Sequence, residues 1–196
     1  MRPGLLRTGA ALVIGLALAV VGCGQKADNT PKDALIKAGD ALFKGDKEAF
    51  LANHKDRQGG QAYTEAMLET RRETRALIEA VRKALGDKVA KEFEDQDQPS
   101  LAAVAKQADK LNFMEEGTVA IATTPDKKEI RFLMEGNHWK VDDSQLKPVP
   151  PEAMKEEKTT AEALRKVRPQ IGKPGFETKE NIEKALVAEM QKAMGL

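Results

Sequence analysis

The chain contains few residues of the types that most enzymatic and metal-binding sites require. Among its 196 residues are one cysteine, two histidines, one tryptophan, one tyrosine and six phenylalanines. A lone cysteine cannot close a disulfide within the chain, and it cannot build a zinc site from several thiolates. Because aromatic residues are scarce, the core must consist mainly of Leu, Ile, Val, Met and Ala, a set that suits helices.

The charges of the two signs are nearly balanced. The sequence has 32 basic and 31 acidic residues, and its net charge is +1. Two of the basic residues, Arg2 and Arg7, lie in the N-terminal segment, which leaves 30 basic against 31 acidic residues in the rest of the chain. A nucleic-acid-binding domain usually carries a basic face, so this balance argues against a nucleic-acid partner.

Short motifs of the common catalytic and nucleotide-binding sites are missing as well. Neither Ser100 nor Ser144 stands in a Gly-x-Ser-x-Gly elbow. The sequence has no Gly-x-x-x-x-Gly-Lys-Ser/Thr phosphate loop and no Gly-x-Gly-x-x-Gly dinucleotide motif. His54 and His138 stand beside a loop and a turn without further ligands at metal-binding spacing, so both are expected at the surface. We therefore predict no catalytic residue, no cofactor and no metal site.

The acidic stretches favour a solvated surface over ion binding. Residues 94–97 begin like a calcium loop, but the positions that follow lack its central glycine and its final glutamate. Glu115 and Glu116 are neighbours, as are Asp142 and Asp143. On strands, neighbouring side chains point to opposite faces, so neither pair is expected to form an acid–base dyad.

An uncharged stretch precedes the only cysteine. Residues 9–22 carry no charge over 14 positions, and the residues before them include Arg2 and Arg7 but no acid. A membrane span needs about 20 apolar residues, so this stretch is too short to cross comfortably. A basic start, a short apolar run and small residues at its end are typical of a secretory signal peptide. With Cys23 directly after it, the segment resembles the lipobox of bacterial lipoproteins.

The lipobox resemblance implies where the protein resides. The Cys23 thiol would carry a diacylglycerol, the signal would be cut before it, and its amine would be acylated, for example with palmitate. Two or more acyl chains hold a protein stably on a bilayer. The body would then face the periplasm or the cell exterior, and Gly24 in place of Asp favours the outer membrane. The alternatives are a simple cleaved signal with an incidental cysteine and an uncleaved N-terminal helix.

The chain divides into four parts by composition. Residues 1–22 form the predicted signal, residues 23–30 a polar lipidated tether, residues 31–146 an α+β domain and residues 147–196 a helical C-terminal extension. Helix patterns precede strand patterns in the domain, with Thr30 and Gly45 marking the ends of the first helix. The proline-rich stretch 146–151 marks the boundary to the extension.

Three alternating segments, 118–124, 129–134 and 138–142, follow the domain's helices. Turn residues separate them, so they predict a three-strand antiparallel meander. The face expected toward the core consists of Val119, Ile121, Ile130, Phe132, Met134, Trp139 and Val141.

Two stretches together are similar to NTF2-like domains. Residues 42–51 resemble the first helical region of that family, and residues 132–143 resemble its closing hairpin, in which a tryptophan packs inside. The resemblance implies helices followed by strands around a cone, in which Phe132 and Trp139 are candidate cavity-lining residues. The family has four or more long strands, and three are predicted here. No catalytic residue of the family matches a position in this chain.

We expect a lipid-anchored protein of the cell envelope that binds a partner or a small ligand without catalysis. One alternative is an enzyme that uses an NTF2-like cavity holding a buried acid or His138. A second alternative is a structural envelope protein that docks through its C-terminal helices, along an apolar stripe of Ile182, Leu186 and Met190. An exposed stripe would support the docking alternative, whereas a stripe buried in the fold would remove its basis.

Overall fold

The computed structural model describes residues 27–97 and 101–195. For residues 96, 97 and 101–104 it describes the backbone alone. These residues form a mixed α+β fold of helices and one sheet. Cys23 and the predicted signal lie outside the described residues, so the lipobox stays a prediction. Within the described ranges, no helix combines the length and the apolar character that a membrane crossing demands.

Seven α-helices and five strands make up the described part of the chain. The helices are α1 Pro31–Lys44, α2 Lys47–Asn53, α3 Gln61–Leu85, α4 Asp87–Asp97, α5 Leu101–Ala108, α6 Pro151–Val167 and α7 Lys179–Met194. The strands are β1 His54–Lys55, β2 Asn112–Glu116, β3 Val119–Thr123, β4 Glu129–Glu135 and β5 His138–Asp142.

The first two helices begin and end where the capping residues predict. The Thr30 hydroxyl accepts a hydrogen bond from the Asp33 N–H at 3.1 Å, and Asp33 accepts one from the Thr30 N–H at 3.0 Å, which completes a capping box. Gly45 ends α1 with a φ of +66°, a left-handed conformation that glycine adopts without strain. Asp46 then caps α2 by accepting from the Ala49 N–H at 3.0 Å.

The sheet has five strands rather than the three predicted, in the order β1-β5-β4-β3-β2. The predicted meander is present as β3, β4 and β5, which pair antiparallel. Strand β2 adds an antiparallel edge beside β3, and β1 pairs parallel with β5 at the other edge. The expectation of a three-strand meander is therefore wrong in its strand count, although the α+β class is confirmed.

Alanines, not the larger residues, face inward on β3. Ala120 and Ala122 are fully buried and pair across the sheet with Phe132 and Ile130. Val119 and Ile121, predicted as core, lie on the opposite face and are half-buried. The bulky rings of Phe132 and Trp139 fill the core beside β3, so only small side chains fit on its inner face.

The molecule has two apolar clusters that share helix α3. The first lies between the sheet and α1, and its buried members include Ala34, Ala38, Leu68, Phe132 and Trp139. The second lies among the C-terminal half of α3, α4, α6 and α7, and includes Leu77, Val81, Phe93, Leu164 and Ile182. Because α3 contributes Leu68 to one cluster and Leu77 to the other, it connects the two halves.

The C-terminal helices are part of this fold. Helix α6 runs beside α3, where the Thr70 hydroxyl donates to the Glu157 carbonyl at 2.9 Å. Arg168 donates to Glu73 at 2.7 Å, and Arg165 reaches the same carboxylate at 3.2 Å. Ile182 on α7 is fully buried in the second cluster. The apolar stripe predicted for α7 is therefore used within the fold at Ile182, while Leu186 and Met190 remain half-buried.

Part of the predicted tether is docked onto the sheet. The Asn29 side chain accepts from the Trp139 N–H at 2.7 Å and donates to the Trp139 carbonyl at 3.0 Å. The Asp28 N–H donates to the Asn137 carbonyl at 2.8 Å, and Ala27 packs against the first cluster. Of the segment 23–30 predicted as a polar tether, residues 27–30 therefore belong to the folded body.

The buried Asp142 joins strands β4 and β5. One oxygen accepts from Arg131 Nε at 2.9 Å, and the other accepts from the Ser144 N–H at 3.0 Å. Burial raises the pKa of Asp142, but the hydrogen bonds from Ser144 and the ion pair with Arg131 outweigh it, so the net pKa lies below its ordinary value.

Replacing Asp142 with asparagine is expected to lower the free energy of unfolding at pH 7 by about 1–3 kcal/mol, since hydrogen bonds to a buried charge are lost. A lowered folded-state pKa means that the carboxylate stabilises the fold above its unfolded pKa of about 3.9, and that this stability is lost as the pH falls through the folded pKa. The difference between wild type and Asp142→Asn should therefore shrink below about pH 4 in urea titrations. The control, Glu129→Gln on β4, should change stability little. A difference that stays constant with pH would contradict the assignment.

Candidate functional site

The two histidines occupy different environments, and neither stands free at the surface. The His54 side chain is 10% exposed and stacks on the Phe50 ring at a centroid distance of 4.5 Å. The expectation of a surface position is wrong for His54, because β1 places it against β5. His138 is half-buried, and its Nε2 lies 3.2 Å from the Asn53 side-chain oxygen and 3.3 Å from the Asn29 nitrogen.

His54 lies between two carboxylates. Its Nε2 is 3.2 Å from Asp143 Oδ2, and its Nδ1 is 3.4 Å from Asp56 Oδ1 but makes no hydrogen bond. The Thr64 hydroxyl donates to the same Asp56 oxygen at 2.6 Å, and Arg57 lies 3.8 Å from Asp143. These contacts connect β1, the start of α3 and the segment after β5. The cluster therefore holds the short edge strand in place.

The other acidic candidates do not converge. Glu115 and Glu116 lie on β2, where neighbouring side chains point to opposite faces. Residues 94–97 are the end of helix α4 rather than a loop, and Glu94 pairs with Arg82. Asp142 pairs with Arg131 while Asp143 faces His54. Across residues 27–97 and 101–195, no group of three or more histidine, cysteine or acidic residues has the arrangement of a metal site.

Phe132 and Trp139, the candidate cavity-lining residues, lie in the first apolar cluster. Phe132 is fully buried and packs against the Phe113 ring at a centroid distance of 5.8 Å. Trp139 is 2% exposed, and the hydrogen bonds of its backbone to Asn29 fix it under the N-terminal segment. Both rings are therefore packed in the apolar core beneath the sheet.

A groove of about 360 Å³ opens between the helices of the second cluster. A cleft of this volume is at the small end of the range that binds ligands in proteins. Its lining comes from four helices: Thr70, Arg71, Thr74, Leu77 and Ile78 of α3, Phe93 of α4, Glu156, Glu157, Thr160 and Leu164 of α6, and Glu183 and Leu186 of α7. Neither Phe132 nor Trp139 contributes to it.

The groove has an apolar floor and an acidic rim. Leu77, Ile78, Phe93 and Leu164 belong to the second cluster and are almost completely buried, so they form an apolar floor. Three glutamates and one arginine line the rim. Glu156 is exposed, and Glu157 and Glu183 are half-buried.

The polar atoms of the groove suit binding better than nucleophilic chemistry. The Thr70 hydroxyl donates to the carbonyls of Ala66 and Glu157 at 3.1 and 2.9 Å, and the Thr160 hydroxyl donates to the Glu156 carbonyl at 2.9 Å. A hydroxyl becomes a nucleophile when a base accepts its proton. These hydroxyls donate to backbone carbonyls, which are not bases. The charged groups of the rim, three glutamates and Arg71, can attract and orient a charged ligand.

Sequence reasoning missed this groove because its walls are far apart in the chain. Its residues span positions 70–186 and meet only because α6 packs on α3 and α7 packs on α6. Two local signals point toward it. Thr70 and Thr74 interrupt the apolar stripe of α3, and α6 has few apolar residues although it packs on two neighbours. Such polar positions on a packed face favour a partly solvated cleft.

The chain matches no protein-family model, no curated protein and no solved structure.

Proposed function

We propose that this chain is a lipid-anchored protein of the cell envelope that binds a ligand, without catalysis, in the groove between α3, α4, α6 and α7. The groove carries this proposal, because it is a concave surface with an apolar floor and a charged rim. The lipobox at Cys23 supports the anchor. The likeness to NTF2-like domains stays a prediction.

The docked N-terminal segment supports a body held close to the bilayer. Residues 27–30 are fixed to the β4–β5 hairpin by the hydrogen bonds of Asp28 and Asn29. Ala27 comes four positions after Cys23, and a fully extended chain of that length spans at most about 14 Å. A lipid on Cys23 would therefore hold the hairpin end of the sheet next to the headgroups rather than on a long flexible tether.

The wall of the groove on α3 begins at Thr70, near the middle of the helix, and extends away from the sheet to Ile78. Leu68 of α3 is in the cluster under the sheet, whereas the floor residues Leu77 and Ile78 lie two to three turns farther along. With a rise of about 1.5 Å per residue, this separation is about 14 Å along the helix. Anchoring at the sheet end would leave the groove accessible from the solvent.

Photo-crosslinking in intact membranes tests this function for a ligand of any chemistry. A benzophenone amino acid at Thr160, on the groove wall, is expected to give a discrete adduct after illumination. The matched control is the same amino acid at Lys158, which is exposed and lies about 200° away on the same helix. Identical adducts at both positions, or none at Thr160, would contradict a ligand site in the groove.

A further inference from the structure

We infer that the groove accepts a peptide segment in which a lysine or arginine lies beside an aliphatic side chain. The inference rests on the proposed function, since it names the class of ligand for the same groove. Three features of the groove carry it: the charge of its rim, the apolar floor beneath, and a cation that the fold already places at its edge.

The charge of the rim favours a cationic ligand. Among the residues that the structure describes, Glu156, Glu157 and Glu183 line the groove together with one basic residue, Arg71. Glu183 pairs with Lys179 at 3.8 Å, and the side chain of Glu156 is exposed to solvent. An anionic ligand would meet repulsion here, and a purely apolar ligand would bury carboxylates without compensation.

The floor favours an aliphatic stem below the charge. Lysine and arginine carry three or four methylene groups that pack on apolar surfaces while the charged end reaches a polar rim. Leu77, Ile78 and Leu186 line the same groove as the glutamates. A side chain of this kind can therefore contact both zones at once.

One lysine of the chain already makes this arrangement at the end of the groove. The Lys179 ammonium lies 5.6 Å from the Phe93 ring centroid and 3.8 Å from Glu183. A cation over an aromatic face beside a carboxylate is a favourable environment. Phe93 and Glu183 both line the groove, so its edge is suited to a basic side chain.

The length of the groove favours a peptide over a small cation. Along α3 it runs from Thr70 to Ile78, which corresponds to about 12 Å at the rise of an α-helix. A small polyamine carries methylene chains as well as charges, but it has no branched aliphatic side chains to fill the floor. A peptide that alternates basic and aliphatic residues can place several side chains along this length.

The test is the affinity of the full-length protein, purified in detergent, for a fluorescent synthetic peptide of alternating leucine and lysine. Fluorescence anisotropy should show saturable binding that weakens as salt increases. The triple variant Glu156→Gln, Glu157→Gln, Glu183→Gln should bind about tenfold more weakly, since three partly exposed charge pairs are lost. The matched control Glu152→Gln, Glu162→Gln, Glu180→Gln removes three glutamates outside the groove and should bind like wild type.

Three results would overturn the inference. In the first, the groove variant and its control lose the same affinity for the leucine–lysine peptide. In the second, the wild-type protein binds a leucine–glutamate peptide as tightly as the leucine–lysine peptide. In the third, a polyamine such as spermidine binds as tightly as the leucine–lysine peptide. The crosslinking experiment at Thr160 distinguishes a failure of the basic-peptide inference from a failure of the proposed ligand-binding function. An adduct with an acidic or neutral ligand would remove the basic-peptide inference alone, whereas the absence of any groove-specific adduct would remove the binding function itself.

Discussion

Truncating Ile182 to alanine is expected to lower the free energy of unfolding by about 2–5 kcal/mol, the usual cost of removing a large aliphatic side chain from a core. Ile182 is fully buried in the cluster that also holds Leu77, Val81, Leu164 and Val167, so its loss leaves a cavity at the junction of three helices. Urea denaturation followed by circular dichroism measures the change.

The matched control for Ile182 is Val187→Ala on the same helix. Val187 is 53% exposed, and a surface truncation usually changes stability by no more than about 0.5 kcal/mol. If Ile182→Ala is as mild as Val187→Ala, then α7 does not pack into the second cluster, and the groove that α7 helps to line does not exist as described.

Replacing Trp139 with alanine is expected to cost about 3–5 kcal/mol, the largest effect of any single truncation proposed here. The indole is almost completely enclosed between the sheet and the helices, and the backbone of Trp139 holds Asn29 through two hydrogen bonds. The exposed Met114→Ala on the edge strand β2 is the control and should have little effect. Equal stability of the two variants would contradict the placement of Trp139 in the core.

Trp139 and Ile182 lie in different apolar clusters, so the pair also tests whether the two halves unfold together. Helix α3 contributes Leu68 to one cluster and Leu77 to the other. We therefore expect both variants to shift a single cooperative transition, seen equally by tryptophan fluorescence in Ile182→Ala and by circular dichroism. Two separate transitions would show that residues 147–196 and the sheet are independent units.

The elements that the sequence predicted well carry their signals locally. Thr30, Gly45 and Asp46 mark helix ends through hydrogen bonds and conformations that depend on a few neighbouring residues. Strands β3, β4 and β5 follow from period-two alternation and from turns at residues 125–128 and 136–137. Helix α7 lies within the helical extension predicted for residues 147–196, and the local signals Thr178 and Gly195 cap its start and its end.

The elements that the sequence missed depend on contacts with distant residues. Strand β1 has two residues, which is too short for any alternation, and it exists because β5 pairs with it. Strand β2 has only two apolar residues and is largely exposed, so it lacks the usual pattern. The inward face of β3 was assigned to its larger side chains, whereas the space left by Phe132 and Trp139 admits only alanine.

The candidate site could not be predicted from the sequence, because it also depends on contacts between residues that are far apart in the chain. Each wall residue resembles an ordinary helix position locally, and the acids of α6 resemble a solvated face. Only the packing of α6 on α3 and of α7 on α6 brings Glu156 and Glu183 into one groove with Leu77 and Ile78. His54 shows the converse case, since a residue at an apparent loop edge is enclosed by Asp56, Asp143 and Phe50.

Attachment to a membrane through Cys23 is the claim on which the proposed function depends most. Mass spectrometry of the protein purified from its natural source tests it directly. We predict an N-terminal peptide that begins at Cys23 and carries the added mass of a diacylglycerol and an amide-linked acyl chain. A peptide that begins at Met1, or a Cys23 with a free thiol, would contradict the anchor.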